Sequence, residues 1–396
     1  MGVKLNLTVL SFFFLLASFA DALTLDVRNY GAKADGQSDV SMALAKAWQE
    51  ACAATTPTKI YIPRGNYRLS QASFKGPCKA PINIQLEGIL IAPKNPGQFK
   101  QPSWVTFSYI NRLTLNGGGT FDGQGEMAWA RSDCSKTTFC PHYPMNLAFF
   151  FVTNSTVQDI TNKNSKQFHT NVLGCKNFTF LRYTVNAPET SLNTDGIHIG
   201  RSDGVYIYDS HIKTGDDCIS LGDGSKNIHI EGSSCGPGHG ISIGSLGRYK
   251  NEEPVVGVYV KHCTISNTQN GVRIKTWPNS EPGTASDMHF EDVIMTNVSN
   301  PVLIDQVYCP WNQCSASIPS RVKLSNVSFK NIRGTSASHV AVKLSCSKAY
   351  PCNGVVLQDI NLTYKGPEGP AISACSNVNP KVGGGQNPKA CTTKAV

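Results

Sequence analysis

Three short segments recur at intervals of 22 residues in the middle of this chain. Asp195, Asp217 and His239 occupy the same place in each segment, and a glycine or cysteine and then an isoleucine follow each of them. A repeat of this length with short, alternating apolar strands is typical of coils stacked into a parallel β-solenoid. Equivalent residues of successive coils lie about 4.8 Å apart in such a stack. The repeat therefore predicts that these three side chains form one column, with Asp216 beside it.

The same register extends to a fourth segment, in which Asn270 takes the first position. The second and fourth positions after it are apolar in all four segments, as an inward-facing row requires, so the third and fifth must face outward. The outward rows consist of His198, Ser220, Ser242 and Arg273, and of Gly200, Gly222, Gly244 and Lys275. The glycines predict a shallow outer trough with two cations at its end. The first position has the wrong parity to face outward from a regular strand, so it requires a bend whose form the sequence leaves open.

The rest of the chain fits one all-β solenoid domain spanning residues 23–396. Short apolar strands recur from Lys59 to Leu357, and no linker or charge block divides them. Residues 40–53 have helical apolar spacing, with Asp39 or Ser41 as the N-cap, and such a helix would close the open end of the core. The stretch from Lys381 reads as a polar, glycine-rich tail that is held only if Cys391 is paired.

Residues 1–22 have the pattern of a cleaved secretory signal. Lys4 precedes an apolar stretch, and Ala20-Asp21-Ala22 resembles a cleavage site. The stretch has about 15 apolar residues, fewer than the roughly 20 that span a bilayer. We therefore predict a secreted, extracellular protein without a membrane anchor.

The cysteines fit an oxidising compartment. The chain has 14 of them, and no compact set of Cys and His has the spacing of a zinc site, so disulfides are favoured. The candidate pairs are Cys134/Cys140, Cys218/Cys235, Cys309/Cys314, Cys346/Cys352 and Cys375/Cys391. Sequons for N-glycosylation occur at Asn154, Asn177, Asn297, Asn326 and Asn361, where asparagine could equally serve as a turn residue.

The net charge of +9 does not identify a partner by itself. No long Lys/Arg run and no basic segment with interleaved aromatic residues indicates nucleic-acid binding. A basic secreted protein could be attracted to an acidic polysaccharide, or its charge could serve only solubility.

The carboxylates of the repeat suit glycoside hydrolysis. That reaction needs one protonated carboxyl to protonate the leaving oxygen and one carboxylate to act on the other side of the sugar. Asp195, Asp216 and Asp217 would lie so close that at least one pKa should rise, and His239 could hold the acid in place. Each motif alone has a simpler explanation, because an Asp-Asp pair is also a turn device and a cation can be a solvated strand residue. Their agreement in register over four coils favours a site.

The sequence at these positions resembles a known family. Asn193-Thr194-Asp195, Gly215-Asp216-Asp217-Cys218, Gly238-His239-Gly240 and Arg273-Ile274-Lys275 are similar, in order and spacing, to the four motifs of the polygalacturonases. The resemblance covers essentially the whole mature chain, and plant exopolygalacturonases of pollen are the nearest likeness. It implies a right-handed parallel β-helix that hydrolyses α-1,4 bonds of polygalacturonate with inversion and without metal or cofactor. The chain departs from the family where Ser191-Leu192 replaces the frequent Ser-Pro, which should affect the local turn more than the chemistry.

The resemblance also implies residue roles. Asp216 would be the general acid, Asp195 and Asp217 would activate water, and His239 would assist the acid. The implied substrate-binding residues are Arg273, Lys275, Tyr308 and Asn193.

Several alternatives stay open. Carboxylates one coil apart would ordinarily indicate retention rather than inversion. We expect a monomer acting from the non-reducing end of the polymer, but an endo-acting enzyme, a rhamnogalacturonan hydrolase, a calcium-dependent pectate lyase or a silent wall-binding protein would share many features. Loops at residues 133–145 and 309–314 are candidates for the wall that an exo-acting enzyme requires.

Overall fold

The computed structural model describes residues 23–131 and 142–391, except 311, 313 and 316. In these residues the chain winds into coils whose strands pair in parallel with the coils before and after. The predicted parallel β-helix is therefore confirmed. The predicted signal segment 1–22 and the Cys134/Cys140 pair lie outside the described residues.

One face of the stack is an eleven-stranded parallel sheet, which we call the site sheet. Its strands are Ala72–Lys75, Ser103–Ser108, Met145–Phe150, Thr170–Leu173, Ile197–Gly200, Ile219–Leu221, Ile241–Leu246, Asn270–Thr276, Asn300–Asp305, Val340–Ser345 and Ile372–Ser376. Ile197 pairs with Ile219, Ile219 with Ile241, and Ile241 with Val272. The coil register predicted from the repeat is therefore the register of the sheet.

The remaining faces form a second sheet of 22 strands, made of two ladders that join in the late coils. The first ladder contains Leu23–Asp26, Thr58–Ile62, Ile82–Leu86, Leu113–Asn116, Thr153–Gln158, Lys176–Leu181, Asp203–Tyr208, Lys226–Glu231 and Val255–Lys261. The second contains Asp35–Asp39, Asn66–Arg68, Ile89–Ile91, Thr120–Asp122, Thr161–Lys163, Thr184–Asn186, His211–Lys213, Ser234–Cys235 and Thr264–Ser266. Four later strands continue both: Gly283–Val298, Val322–Ser336, Asn353–Thr363 and Lys381–Asn387.

Inward side chains of successive coils stack on one another and form a continuous core. Phe107 and Phe149 occupy paired positions on adjacent coils, and their rings stack with centroids 5.1 Å apart. Each side chain of this size contributes roughly 1.5–3 kcal/mol when it is fully buried. Because every coil buries its apolar row against its neighbours, the repeat itself stabilises the fold.

An α-helix closes one end of the core, as predicted. It spans Ser41–Ala53 and buries Leu44 and Trp48. The predicted N-cap is wrong, because Val40 is the capping residue and its side chain makes no cap bond. The Asp39 carboxylate instead accepts from the backbone N–H of both Ser41 and Ser70, at 3.1 and 3.0 Å, and so ties the helix to the next coil. The other described helical segments are Val27–Tyr30, Pro96–Gln98 and Glu126–Trp129.

The polar tail from Lys381 is held in place, as predicted for a paired Cys391, but it also forms a strand that was not predicted. Lys381–Asn387 forms a strand that pairs with Asn353–Thr363, and a disulfide joins Cys375 to Cys391. The last coil offers unpaired backbone groups, which a glycine-rich segment can satisfy as well as an apolar one.

Disulfides connect several coils and loops. The predicted pairs Cys218–Cys235, Cys309–Cys314, Cys346–Cys352 and Cys375–Cys391 are present, together with Cys52–Cys78 between the capping helix and the following coil. Cys175 and Cys263 are buried thiols. Among the described residues, no helix is long and apolar enough to cross a membrane.

Candidate active site

The bend that the sequence required lies directly before the strands of the site sheet. Asp195 and Asp217 each stand two residues before a strand, and the backbone N–H of Gly196 donates to the carbonyl of Asp217 at 2.9 Å. A β-carbon at Gly196 would come within 2.4 Å of a neighbouring carbonyl oxygen. Gly240 has a φ of +85°, in the left-handed region that favours glycine. These glycines permit close approach of the coils at the bend that precedes the strands.

Asp217 is the most completely bonded carboxylate of the site. Its Oδ1 accepts from Arg273 Nη2 at 2.8 Å and from Ser242 Oγ at 2.8 Å, and its Oδ2 accepts from Lys275 Nζ at 2.8 Å. All of these side chains are buried. Burial acts to raise the pKa of Asp217, but the adjacent Lys275 and Arg273 outweigh it and hold that pKa well below its usual range. Asp217 is therefore a permanent anion in this site.

Asp195 has the opposite character. It is 6% exposed, and its Oδ2 accepts from Ser220 Oγ at 2.6 Å. Burial, and then the negative charges of Asp216 and Asp217, raise the pKa of Asp195 well above its ordinary value. The expected upward shift of one carboxyl pKa thus falls on Asp195.

Asp216 faces a more open part of the site. Its Oδ1 accepts from the backbone N–H of Asp217 at 2.8 Å and lies 3.0 Å from His239 Nδ1. The Asp216 side chain is 25% exposed and that of His239 is 37% exposed. Burial acts to lower the pKa of His239, but the hydrogen bond and charge of Asp216 raise it overall. This pair can hold a proton where a substrate can reach it.

Tyr308 lies against the two cations. Its ring centre is 5.2 Å from Lys275 Nζ and 5.9 Å from Arg273 Cζ, and Trp277 packs edge-on against it. Asn193 lies in the turn before Asp195 with a left-handed φ of 57°. The structure thus brings Tyr308 to the cations and places Asn193 beside the acidic bend.

The predicted glycine trough is only partly open, because the His198 ring lies 3.5 Å from the place where a β-carbon of Gly222 would be. Arg273 and Lys275 face outward as predicted, but they lie against Asp217 rather than in solvent. A groove of about 780 Å³ opens beside His239. Its described lining is Glu189, Gly215, Pro237, Gly238, His239, Asn267, Thr268, Gln269, Asn297, Ser299 and Ala337.

One group of side chains has the geometry to hold a metal ion. Asp216, Asp217 and His239 have ligand atoms within 4.8 Å of one another. Both oxygens of Asp217 already accept from cations, so a metal ion would have to compete with Arg273 and Lys275. The chemistry of this donor set therefore favours an acid/base site over a metal centre.

Sequence reasoning missed three polar side chains that support the acids. Ser220 and Ser242 donate to Asp195 and Asp217, and His198 lies 2.8 Å from Ser220. The repeat places all three in its outward row. The available signal was that each lies in a coil next to one that carries an aspartate. His169 was also missed; its ring bonds the backbone of Thr194 and Asp195, and burial lowers its pKa to about 4.

Comparison with known proteins agrees with this arrangement. The family model of the glycosyl hydrolases family 28 matches residues 52–391. The chain belongs to this family. The resemblance to the polygalacturonases predicted from the four motifs is confirmed, and membership of family 28 makes the protein a glycoside hydrolase.

Individual members of family 28 resemble the whole chain. An exopolygalacturonase of Oenothera organensis is 58% identical over 358 residues, which cover 90% of this chain and 99% of that one. A polygalacturonase of Gossypium hirsutum is 52% identical and covers 98% of this chain and 95% of its own. Among solved structures, an endo-xylogalacturonan hydrolase from Aspergillus tubingensis superposes with a TM-score of 0.78 at 26% identity, covering 88% of this chain and 95% of that one.

Proposed function

We propose that this protein hydrolyses the α-1,4 bonds of polygalacturonate and releases galacturonate from the non-reducing end of the polymer. The observation that carries the proposal is the placement of Arg273 and Lys275 in direct contact with the acid cluster. A site that cleaves an acidic sugar needs cations beside its acid/base groups, whereas a neutral sugar does not. The exopolygalacturonase relative supports both the substrate and the exo mode.

Asp216 is proposed as the general acid. It is the most exposed of the three site carboxyls, and the raised pKa of His239 keeps a proton available at their shared hydrogen bond. A proton on this pair can pass to the glycosidic oxygen as the bond to the anomeric carbon breaks. His239 then assists by holding Asp216 in place and supplying the next proton.

Asp195 and Asp217 are proposed to activate the attacking water. Asp217 is held ionised by its two cations, so it can orient water without taking up its proton. The raised pKa of Asp195 makes it a stronger base than an ordinary aspartate, which suits proton abstraction. Attack on the face opposite the leaving oxygen gives inversion, without a role for a cofactor.

Substrate binding is assigned to the cations and their neighbours. A galacturonate carboxylate can accept charge-assisted hydrogen bonds from Arg273 and Lys275 in competition with Asp217. Tyr308 packs against both cations and offers an aromatic face to a sugar ring, and Asn193 offers an amide beside the acidic bend.

Product analysis tests this proposal. The purified protein should release only monogalacturonate early in the digestion of polygalacturonate, and Asp216→Asn should reduce turnover to background. A ladder of oligomers would indicate endo action, and faster cleavage of rhamnogalacturonan would indicate the other hydrolase. NMR should show the β anomer first; an α anomer would contradict inversion, and an ultraviolet-absorbing unsaturated product would indicate a lyase.

We further propose that the protein acts as a secreted monomer in the cell wall. The five described disulfides support an oxidising compartment, and all proposed site residues belong to one chain. The asparagines of all five sequons are exposed, which makes them candidates for glycans. Ultracentrifugation, and mass spectrometry before and after glycosidase treatment, would test both statements.

A further inference from the structure

Two serine hydroxyls connect the buried aspartates to side chains in the outward row. Ser242 donates to Asp217 at 2.8 Å and accepts from Arg273 Nε at 3.0 Å. Ser220 lies one coil earlier at the paired position, donates to Asp195 at 2.6 Å and lies 2.8 Å from His198 Nδ1. The repeat thus builds the same relay twice: an aspartate, a serine and a nitrogen donor.

The two relays differ in what their nitrogen donor can do. The guanidinium of Arg273 has only donors, so Ser242 must direct its own proton toward Asp217 at all times. A neutral imidazole can either donate or accept at Nδ1. His198 therefore allows the Ser220 hydroxyl to point either toward Asp195 or toward the imidazole ring.

We propose that His198 is a positioning residue that acts through Ser220 on Asp195 and lets this carboxyl change its protonation state during turnover, while Arg273 and Ser242 keep Asp217 fixed as an anion. The proposal rests on the hydrolytic function proposed above and separates the two water-activating aspartates into a proton acceptor and a permanent charge. His198, Ser220 and Ser242 contribute through these bonds and do not contact the reacting atoms.

The proton balance of the relay is complete. When Asp195 is ionised, Ser220 donates to it and His198 donates from Nδ1. When Asp195 takes up the proton of the attacking water, the Ser220 hydroxyl can turn toward Nδ1 of the other neutral tautomer of His198 and accept from the protonated carboxyl. Release of that proton to solvent and the reverse turn of the hydroxyl return Asp195 to its ionised state for the next turnover.

The surroundings of His198 favour the neutral ring that this relay needs. The ring packs against Phe168 with centroids 5.1 Å apart. The charges of Asp217 and Asp223 act to raise the pKa of the ring, and the charge of Lys275 acts to lower it. Burial lowers the pKa of His198 to about 4, so the imidazole is neutral in mildly acidic and neutral solution.

The first experiment combines kinetics with a titration of Asp195. Ser220→Ala and His198→Leu should lower kcat about 10- to 100-fold with little change in KM, because a misplaced catalytic group costs this much. His198→Asn should keep kcat within about threefold of wild type, since an amide can both donate and accept. Loss of the Ser220 hydrogen bond should also move the acid side of the pH profile to higher pH, because that bond stabilises the ionised form.

The chain provides a matched control in the same two coils. His211 Nδ1 lies 2.7 Å from Ser234 Oγ on the other sheet, so His211→Leu breaks a similar bond away from the site. It should leave kcat and the pH profile unchanged. Thermal unfolding of every variant separates lost stability from lost chemistry.

Infrared difference spectra give a readout that does not depend on substrate. The protonated-carboxyl band that disappears in Asp195→Asn should titrate at higher pH in Ser220→Ala and in His198→Leu than in wild type. Unchanged kcat and an unchanged Asp195 titration in His198→Leu would overturn the relay. A fall in kcat in His211→Leu as large as that in His198→Leu would overturn it too. A wild-type protein inactive on polygalacturonate would instead refute the proposed function, and the titration would still decide the relay.

Discussion

Replacing either buried aspartate with asparagine should abolish activity but change stability in opposite directions. Asp195 has a raised pKa and Asp217 a lowered one, although both stand at the same place in adjacent coils. Asp217→Asn would leave Arg273 and Lys275 buried without their anion. Asp195→Asn would instead remove a charge that burial and its acidic neighbours disfavour, and the new amide oxygen can still accept from Ser220.

The magnitudes follow from these environments. Removing one partner of a buried ion pair costs about 3–5 kcal/mol of unfolding free energy, which is the expected loss for Asp217→Asn at neutral pH. For Asp195→Asn we expect a gain on the order of 1 kcal/mol, because each pH unit by which a folded-state pKa is raised costs about 1.4 kcal/mol once the group is ionised. The unfolding free energies of the two variants should therefore differ from one another by more than either differs from that of the wild type.

The pH dependence of each effect has a definite sign. The raised pKa of Asp195 means that its stabilising contribution is fully present below the unfolded pKa, near 3.9, and is lost as pH rises through the folded pKa. The gain of the asparagine variant therefore begins above the unfolded pKa and is complete above the folded one. The lowered pKa of Asp217 means that its contribution is present above the unfolded pKa, near 3.9, and is lost as pH falls toward the folded value. The Asp217→Asn penalty should therefore shrink in strong acid.

Urea unfolding at pH 7 and at pH 3 measures both effects, with activity assayed on the same preparations. The matched control is Asp223→Asn, which changes an aspartate in the loop after the same coil, where Arg201 pairs with it at the surface. It should alter stability little. Destabilisation of similar size in Asp195→Asn and Asp217→Asn at pH 7 would refute the assignment of opposite charge environments.

Three further predictions concern the surrounding groups. Lys275→Met should raise KM for oligogalacturonates by about tenfold, the loss of one charge-assisted contact, while KM for a neutral oligosaccharide, if any is cleaved, should not rise. The double substitution Cys218→Ser with Cys235→Ser should lower the unfolding free energy by about 2–4 kcal/mol, measured by urea unfolding without reductant against the oxidised wild type. His239→Gln should lower the Tm more at pH 5 than at pH 8. The raised pKa of His239 means that the stabilising bond from the charged ring to Asp216 is lost as pH rises through that pKa. An equal fall in Tm at pH 5 and pH 8 would contradict this.

The fold could be predicted because the chain repeats. An interval of 22 residues between Asp195, Asp217 and His239, with apolar residues at fixed positions, admits few structures other than stacked coils. The capping helix followed from its own periodicity. Its N-cap was harder to predict, because Asp39 is bonded by Ser70 from another coil as well as by Ser41, and that contact has no local signal.

The tail shows the limit of compositional reasoning. Lys381–Asn387 contains three consecutive glycines and no apolar alternation, yet it pairs as a strand. Its backbone groups satisfy those of Asn353–Thr363, and this need arises from the neighbouring coil rather than from its own side chains. A strand that completes a ladder can therefore lack the pattern by which strands are predicted.

The site residues could be predicted, but their electrostatic differences could not. Register alone makes Asp195 and Asp217 equivalent, since each stands two residues before a paired isoleucine. Their environments differ because the outward row changes along the stack, from His198 at one end to Arg273 at the other. Repetition places a serine against each aspartate, whereas the cations that contact only Asp217 hold its pKa low, and burial with acidic neighbours raises the pKa of Asp195. A carboxyl pair with divergent pKa values can thus arise from one repeated motif through substitutions a coil or more away.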